Sequence, residues 1–254
     1  MADRSKPLTA DRVVPLLPGR FGRPYRWSEE CASTQDELRD AGLPDGAVAV
    51  TEHQTGGRGR SGRSWSDVAG RSLLLSVLLR PPAGGPVEQL SLVVGLAVAE
   101  AIEATTGLAT TIKWPNDVLV GERKVAGILL ESSGETVICG IGVNVAQDDS
   151  ELPAGTRLPS TSLRVATGRA QDRLTLLVTL LASLESRYET WLAAALAPLL
   201  PELERRDALR GKAVTIGSHT GTAGGIASDG RLRILTPEGE TLVASGAVVL
   251  QVSD

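Results

Sequence analysis

The sequence predicts an α+β protein in two parts: a sheet domain flanked by helices, then a small β-barrel. Three observations carry this prediction. Residues 87–106 place Leu90, Val93, Val94, Ala97, Val98, Ala101 and Ile102 at helical spacing, and residues 172–196 repeat the pattern with Leu174, Leu177, Val178, Leu181, Leu184, Tyr188 and Leu192. Outside these two segments the apolar runs are short and bounded by Gly and Pro, which reads as strands. Beyond residue 210, runs at 214–216, 222–227, 231–235, 241–243 and 247–252 alternate with turn signals at 217–221, 228–230 and 237–239. The expected organisation is an irregular lead-in over 1–26, a main domain over 27–210 and a β domain over 211–254.

Composition narrows the class. A chain of 254 residues can bury a full core without staples. With 26 basic against 30 acidic residues and a net charge of −4, a general nucleic-acid coat is disfavoured. Two cysteines, Cys31 and Cys139, exclude a disulfide scaffold and a four-cysteine zinc site, and are read as small core residues. Two histidines, His53 and His219, argue against a histidine metal cage; His53 is read as a bystander, and no fixed metal site is expected. No run of about 18 apolar residues is present to span a membrane. Residues 1–26 carry Pro7, Pro15, Pro18 and Pro24 among charges, unlike a secretory signal, so the expected location is cytoplasmic.

In chain order, Ser33 or Thr34 is read as the cap of a helix with Asp36 and Glu37 in its first turn, stopping near Gly42 and Pro44. A strand over 47–51 leads into residues 54–65, which hold four glycines and three arginines without hydrophobic period and read as a loop. A buried strand over 71–79 precedes the first long helix. Strand 110–114 stops at Pro115, and 118–120, a turn at 121–124 and 125–131 form a hairpin-like unit. Strand 136–145 has two unlike faces. Val137, Cys139, Ile141, Val143 and Val145 read as core; Ile138, Gly140, Gly142 and Asn144 read as a face that a ligand approaches closely. A loop over 153–163 leads to the second long helix, and a short helix after Pro198 and Pro201 ends near Gly211.

Three clusters carry chemistry. Gly56-Gly57-Arg58-Gly59-Arg60-Ser61-Gly62-Arg63 combines backbone freedom with guanidinium forks, which suits a loop closing on a polyphosphate or carboxylate. It is also the composition of a flexible linker or a nucleic-acid patch, and no Gly-Lys-Ser/Thr follows as in a P-loop. In Lys113-Trp114-Pro115-Asn116-Asp117, the proline stiffens a turn that presents Asn116 and Asp117; an ordinary strand-ending turn reads the same way. Lys124 opens an apolar strand beside small residues, either aimed into a pocket or solvated on a hairpin.

Taken together and in this order, Ser33-Thr34, residues 52–65, 113–117, 124–130 and 140–144 resemble the catalytic domain of biotin protein ligases, and the tail is similar to that family's SH3-like domain. The resemblance spans about residues 27–252 and implies a class II synthetase-like mixed sheet flanked by helices. It implies a two-step activity. ATP with Mg²⁺ activates biotin to biotinyl-5′-adenylate, and a lysine of the biotin carboxyl carrier domain of a carboxylase then takes the biotin. It further implies Arg60, Lys124 and Asp117 as catalytic residues. Ser33, Thr34, Gln54, Gly57, Arg58, Gly59, Arg60, Lys124, Gly127, Gly140 and Gly142 are implied on the biotin side. Arg58, Arg60, Arg63, Trp65, Asn116, Asp117, Lys124 and Asn144 are implied on the nucleotide side, with Trp65 stacking on adenine. Gln35 stands where the family usually has Asn, and is read as a tolerated change at a helix start.

Some members of that family carry an N-terminal DNA-binding domain and repress transcription. The 26 residues before Trp27 leave no room for one, so a ligase without repressor activity, without nucleic-acid or membrane partners, is expected. The resemblance leaves a monomer or a ligand-dependent homodimer open. A lipoate ligase or octanoyltransferase shares the fold without this arginine motif. A non-enzymatic nucleic-acid binder would want exposed aromatics, and the chain has one Phe.

Overall fold

The structure is a computed structural model and describes residues 6–39, 42–156 and 158–250. Its centre is a seven-stranded mixed sheet in the order β1-β2-β3-β7-β6-β5-β4. The strands are β1 (Tyr25–Cys31), β2 (Val48–Gln54), β3 (Ser72–Leu79), β4 (Thr110–Lys113), β5 (Asp117–Val120), β6 (Arg123–Ser133) and β7 (Thr136–Asn144). β1 and β2 are parallel and the other pairs antiparallel. Helices α1 (Ala10–Val13), α2 (Leu90–Thr106), α3 (Leu163–Thr167), α4 (Arg173–Ala194) and α5 (Leu200–Arg205) complete the larger unit. A five-stranded antiparallel sheet, β11-β10-β9-β8-β12, forms the tail from β8 (Ala213–Ile216), β9 (His219–Ile226), β10 (Leu232–Thr236), β11 (Gly239–Val243) and β12 (Val249–Leu250).

The alternation along each strand sorts the two faces. Leu73, Leu75, Val77 and Leu79 of β3 and Val137, Cys139, Ile141 and Val143 of β7 enter one core with α2 and α4. The opposite face of the same strands is divided. Ile138 and Leu78 join Leu38, Leu43, Ala47 and Ala49 in a small second cluster. Gly140, Gly142 and Asn144 instead floor an open cavity.

Four expectations are corrected. The lead-in is not wholly irregular: it carries α1 and sends Leu8, Val13, Leu17 and Phe21 into the main core. The Leu8 N–H donates to the buried Glu52 carboxylate, which also pairs with Arg173 of α4 at 2.7 Å. A buried charge pair with this many donors ties the segment to the domain. Second, the helix expected from Ser33 is one 3₁₀ turn, Asp36–Leu38, because the Ser33 and Thr34 side chains turn inward instead of capping. Third, the buried stripe of α4 passes through Leu177, Leu181, Leu184, Tyr188 and Trp191, leaving Leu192 exposed. Trp191 stacks on Tyr188 and donates to Gln89, so the larger ring takes the inward position. Fourth, Cys31 is half-buried at the end of β1, not a core residue; Cys139 is fully buried.

The tail packs back on the larger unit through the Lys113–Asp117 turn. The buried Trp114 donates its indole N–H to the Gly230 carbonyl at 3.0 Å, and Lys113 Nζ reaches the Val248 carbonyl at 3.4 Å. Among the described residues, no helix is long and apolar enough to cross a membrane.

Candidate active site

A cavity of about 790 Å³ opens on the glycine face of the sheet. That is the size range of small-molecule sites. Its floor is β6 and β7, one end is the Ser33–Gln35 turn, and the loop after β2 forms its lid. The Lys113–Asp117 turn, Pro153, Thr156, Leu158 and Ser160, and residues 246–250 of the tail close the other end.

The floor explains its glycines. A Cβ on Gly142 would stand 2.5 Å from the Trp65 indole, and one on Gly127 would stand 3.0 Å from the same ring and 2.9 Å from Lys124 Nζ. Only the absence of a side chain lets Trp65 lie on the sheet. The Trp65 indole nitrogen is buried there without a hydrogen-bond partner. Gly140 carries the side chain of Gln35, whose amide donates at 3.4 Å to the Leu129 and Ile138 carbonyls. Gln35 is therefore part of the cavity wall and not merely a helix-opening position.

At the Ser33–Gln35 end, the Thr34 N–H donates to Gln54 Oε1 at 2.9 Å, and the Thr34 hydroxyl lies 2.7 Å from Ser76 Oγ. Ser33 and Thr34 are buried, and Gln54 is half-buried. β2 ends at Gln54, so strand pairing fixes where its amide emerges. His53, next to it, is not a bystander. Its Nδ1 meets Asp67 Oδ2 at 2.8 Å, and that carboxylate, 1% exposed, pins the loop's exit against β2.

The lid, residues 55–64, is stitched by an Arg58–Ser64 bridge and a Trp65 N–H to Gly57 carbonyl bond. Ser61 adopts a left-handed conformation at φ 57° inside its 3₁₀ turn. The three arginines diverge. The Arg58 guanidinium grips Asp36 through two bonds of 2.9 Å and Glu131 through Nε at 2.9 Å. Arg39 binds the same two carboxylates. The hydrogen bond from Arg58 is the largest influence holding the Asp36 carboxyl down at about 2. The acids that meet Arg58 arrive from a distant turn and from β6. Arg60 points inward to Asn116 Oδ1 at 3.2 Å. Burial pulls its guanidinium below the ordinary value, with Asp117 acting in the opposite sense. Arg63 is exposed and folds back on the Arg60 carbonyl.

Opposite the lid, Lys124 Nζ lies 2.6 Å from Asp117 Oδ1 and 5.6 Å from the Trp65 ring centroid. Asp117 is paired across β5 and β6 with Gly127, and Asn116 donates to the Ile128 carbonyl, so the turn is held in register with the floor. The cavity therefore collects Arg60, Lys124, Asp117 and Asn116 at one wall. Two fixed cations facing an apolar-lined cleft with one carboxylate suit chemistry between two anions. Pro153, Thr156, Leu158, Ser160 and residues 246–250 also line it and were not singled out from the sequence; stretches without charge clusters leave no local signal.

The sequence model of the biotin/lipoate A/B protein ligase family matches residues 26–148. A bifunctional ligase/repressor BirA from Bacillus spizizenii is 35% identical over 246 residues, 91% of this chain and 75% of that one. The chain belongs to the biotin protein ligase family. A biotin–acetyl-CoA-carboxylase ligase of Paracoccus denitrificans is 36% identical over 82% of this chain and 91% of its own length. The counterpart from Mycobacterium tuberculosis is 38% identical over 78% of this chain and 68% of its own. Among solved structures, the Aquifex aeolicus biotin protein ligase in complex with biotin and ATP superposes with a TM-score of 0.81 at 35% identity, covering 89% of this chain and 98% of that one.

Proposed function

We propose that this cavity is where biotin meets ATP. The chain is an ATP-dependent biotin ligase: it forms biotinyl-5′-adenylate and passes biotin to a lysine of the carrier domain of a carboxylase. The observation that carries the reading is the convergence of Arg60, from the lid, and Lys124, from β6, on the Asn116–Asp117 turn at one end of a glycine-floored cavity.

The chemistry follows from charge. In the first step a biotin carboxylate oxygen attacks the α-phosphorus, and the bond to pyrophosphate breaks. Both reactants are anions, so the barrier includes their repulsion. Arg60 and Lys124, held in place before substrate arrives, offset the charge that develops at the junction. Arg63, at the lid's outer edge, meets the departing phosphates. Ser33, Thr34 and Gln54 exchange their mutual hydrogen bonds for those of biotin's ureido ring, beside Gly57, Gly59 and the backbone of Arg58. Trp65, with an unpaired N–H and a broad face, and Asn116 and Asn144 form the nucleotide wall. In the second step the acceptor amine attacks the acyl carbon, AMP leaves, and Asp117, the one carboxylate lining the cavity among the described residues, takes the amine proton.

Among the described residues, no cluster of three His, Cys, Asp or Glu side chains could cage a metal. Asp117 and Asn116 are the side-chain oxygens that would lie beside a Mg²⁺ carried on the triphosphate, which would further neutralise phosphate charge.

The test is direct. Purified protein with biotin, ATP and Mg²⁺ should release pyrophosphate in step with biotinyl-adenylate, and adding a carrier domain should yield biotinylated protein. Pyrophosphate release that is indifferent to biotin would overturn the reading. Release with lipoate in place of biotin would favour the other branch of the family.

A further inference from the structure

Asn144 ends β7 on the cavity face, two residues beyond Gly142 and opposite Ser72 of β3. It is only 4% exposed, and both ends of its amide are engaged. Nδ2 donates to the Thr161 carbonyl at 3.1 Å, and Oδ1 accepts from Gln147 Nε2 at 3.2 Å. A backbone carbonyl can only accept, so Thr161 forces the nitrogen of Asn144 toward itself and the oxygen toward Gln147. Gln147 completes the lock. Its Nε2 also donates to Ser72 Oγ at 2.7 Å, and its backbone carbonyl accepts from Ser162 Oγ at 2.6 Å. Ser162 in turn caps α3 through the Val165 N–H.

The arrangement leaves one atom stranded. Gln147 is 2% exposed, and its Oε1 is buried without a hydrogen-bond partner. Leaving a buried amide oxygen unpaired is costly, and such a group in a folded protein calls for a reason. Turning the Gln147 amide over would satisfy nothing at Asn144: two oxygens would then face one another. The donor end is what this position supplies.

We infer that Gln147 is a positioning residue that locks the orientation of the Asn144 amide, and through it sets the preference of the nucleotide site for an amino-purine over an oxo-purine base. The inference rests on the reading of Asn144 as part of the nucleotide wall. With its orientation locked, Asn144 retains one N–H and one lone pair at defined places on the wall. A base offering a ring acceptor beside an amino group matches that pair; hypoxanthine puts an oxo acceptor where the amino donor was, against the Asn144 lone pair. The lock also sits close to Lys124 along the chain of contacts, since the Lys124 N–H donates to the Pro159 carbonyl and the Thr161 N–H donates to the Lys124 carbonyl. Nucleotide wall and catalytic lysine thus share one frame.

Gln147→Leu keeps the volume and removes the donor. Calorimetric titration with a non-hydrolysable ATP analogue and its inosine counterpart, in the presence of biotin, reads the effect without turnover. The expected result is about a tenfold loss of ATP-analogue affinity, a shrinking ratio between the two nucleotides, a matching rise in KM for ATP and an unchanged Kd for biotin. Ser72→Ala, which removes the other anchor of the Gln147 amide, should shift the same ratio in the same direction by less, and carries the test should Gln147→Leu fail to fold. An unchanged nucleotide ratio in the folded variants, or biotin and nucleotide affinities falling together, would overturn the inference. Wild-type protein that makes biotinyl-adenylate keeps the assignment of the site whatever the variants do, so the two failures are distinguishable.

Discussion

Replacing Asp36 with Asn and Glu131 with Gln should unlatch the lid without touching a group that meets substrate. Arg58 joins the lid to both carboxylates, with side-chain exposures of 34% for Arg58, 38% for Asp36 and 25% for Glu131. Exposed pairs are worth about 0.2–1 kcal/mol each. The two-pronged grip on Asp36 and the shared Arg39 place these pairs toward the upper end. Losing both amounts to about 1–2 kcal/mol, or roughly a 5–30-fold shift toward the open lid. Limited trypsin digestion measures it, because Arg58, Arg60 and Arg63 all remain as cleavage sites. The double variant should be cut in the lid several-fold faster than wild type, and biotin should slow both. High salt should narrow the difference by screening the wild-type pairs. Cleavage of the double variant at the wild-type rate, with and without salt, would refute the latch. The sign with pH follows from Asp36, held down at about 2 against an ordinary 3.8. A depressed carboxyl contributes its stabilisation fully above the ordinary value and loses it as pH falls through the folded one. Amide exchange over residues 56–64 should therefore accelerate between about pH 4 and pH 2 beyond the intrinsic trend.

Three further outcomes are expected. Lys124→Ala should lower biotin affinity and adenylate formation at least tenfold, since a hydrogen bond to a charged group is worth about 1.5–3 kcal/mol; a variant normal in both returns Lys124 to an ordinary hairpin lysine. Gly142→Val should push the Trp65 indole off the floor, where a Cβ would stand 2.5 Å away, changing tryptophan fluorescence and weakening nucleotide binding while the melting temperature moves little; unaltered fluorescence would count against the packing argument. Arg173→Met should destabilise the fold by about 3–5 kcal/mol in denaturant titration by stranding the buried Glu52 carboxylate, and adding Glu52→Gln should recover much of the loss.

Local pattern and composition were enough for most of the elements and for the kind of chemistry. Periodicity alone placed α2 and separated the core face of β7 from its glycine face, because side-chain direction on a helix or strand depends only on spacing. The density of Gly and Arg in residues 54–65 marked a loop, because a glycine-rich stretch without hydrophobic period builds neither helix nor strand; its composition also fits a linker, and only the resemblance to a family chose the anion-binding reading. What depends on residues distant in sequence was not legible. Arg58 finds Asp36 and Glu131, which lie 22 and 73 positions away, and nothing local distinguishes it from Arg60, which turns inward. Trp65 lies on Gly142 and Gly127 because two neighbouring strands leave the same bare patch, a coincidence that exists only once β6 and β7 are paired in register. The roles of Gln35, His53 and Gln147 likewise appear only after folding. An amide or imidazole carries no spacing signal, and its partner is chosen by whichever backbone carbonyl or carboxylate the tertiary fold brings within about 3 Å.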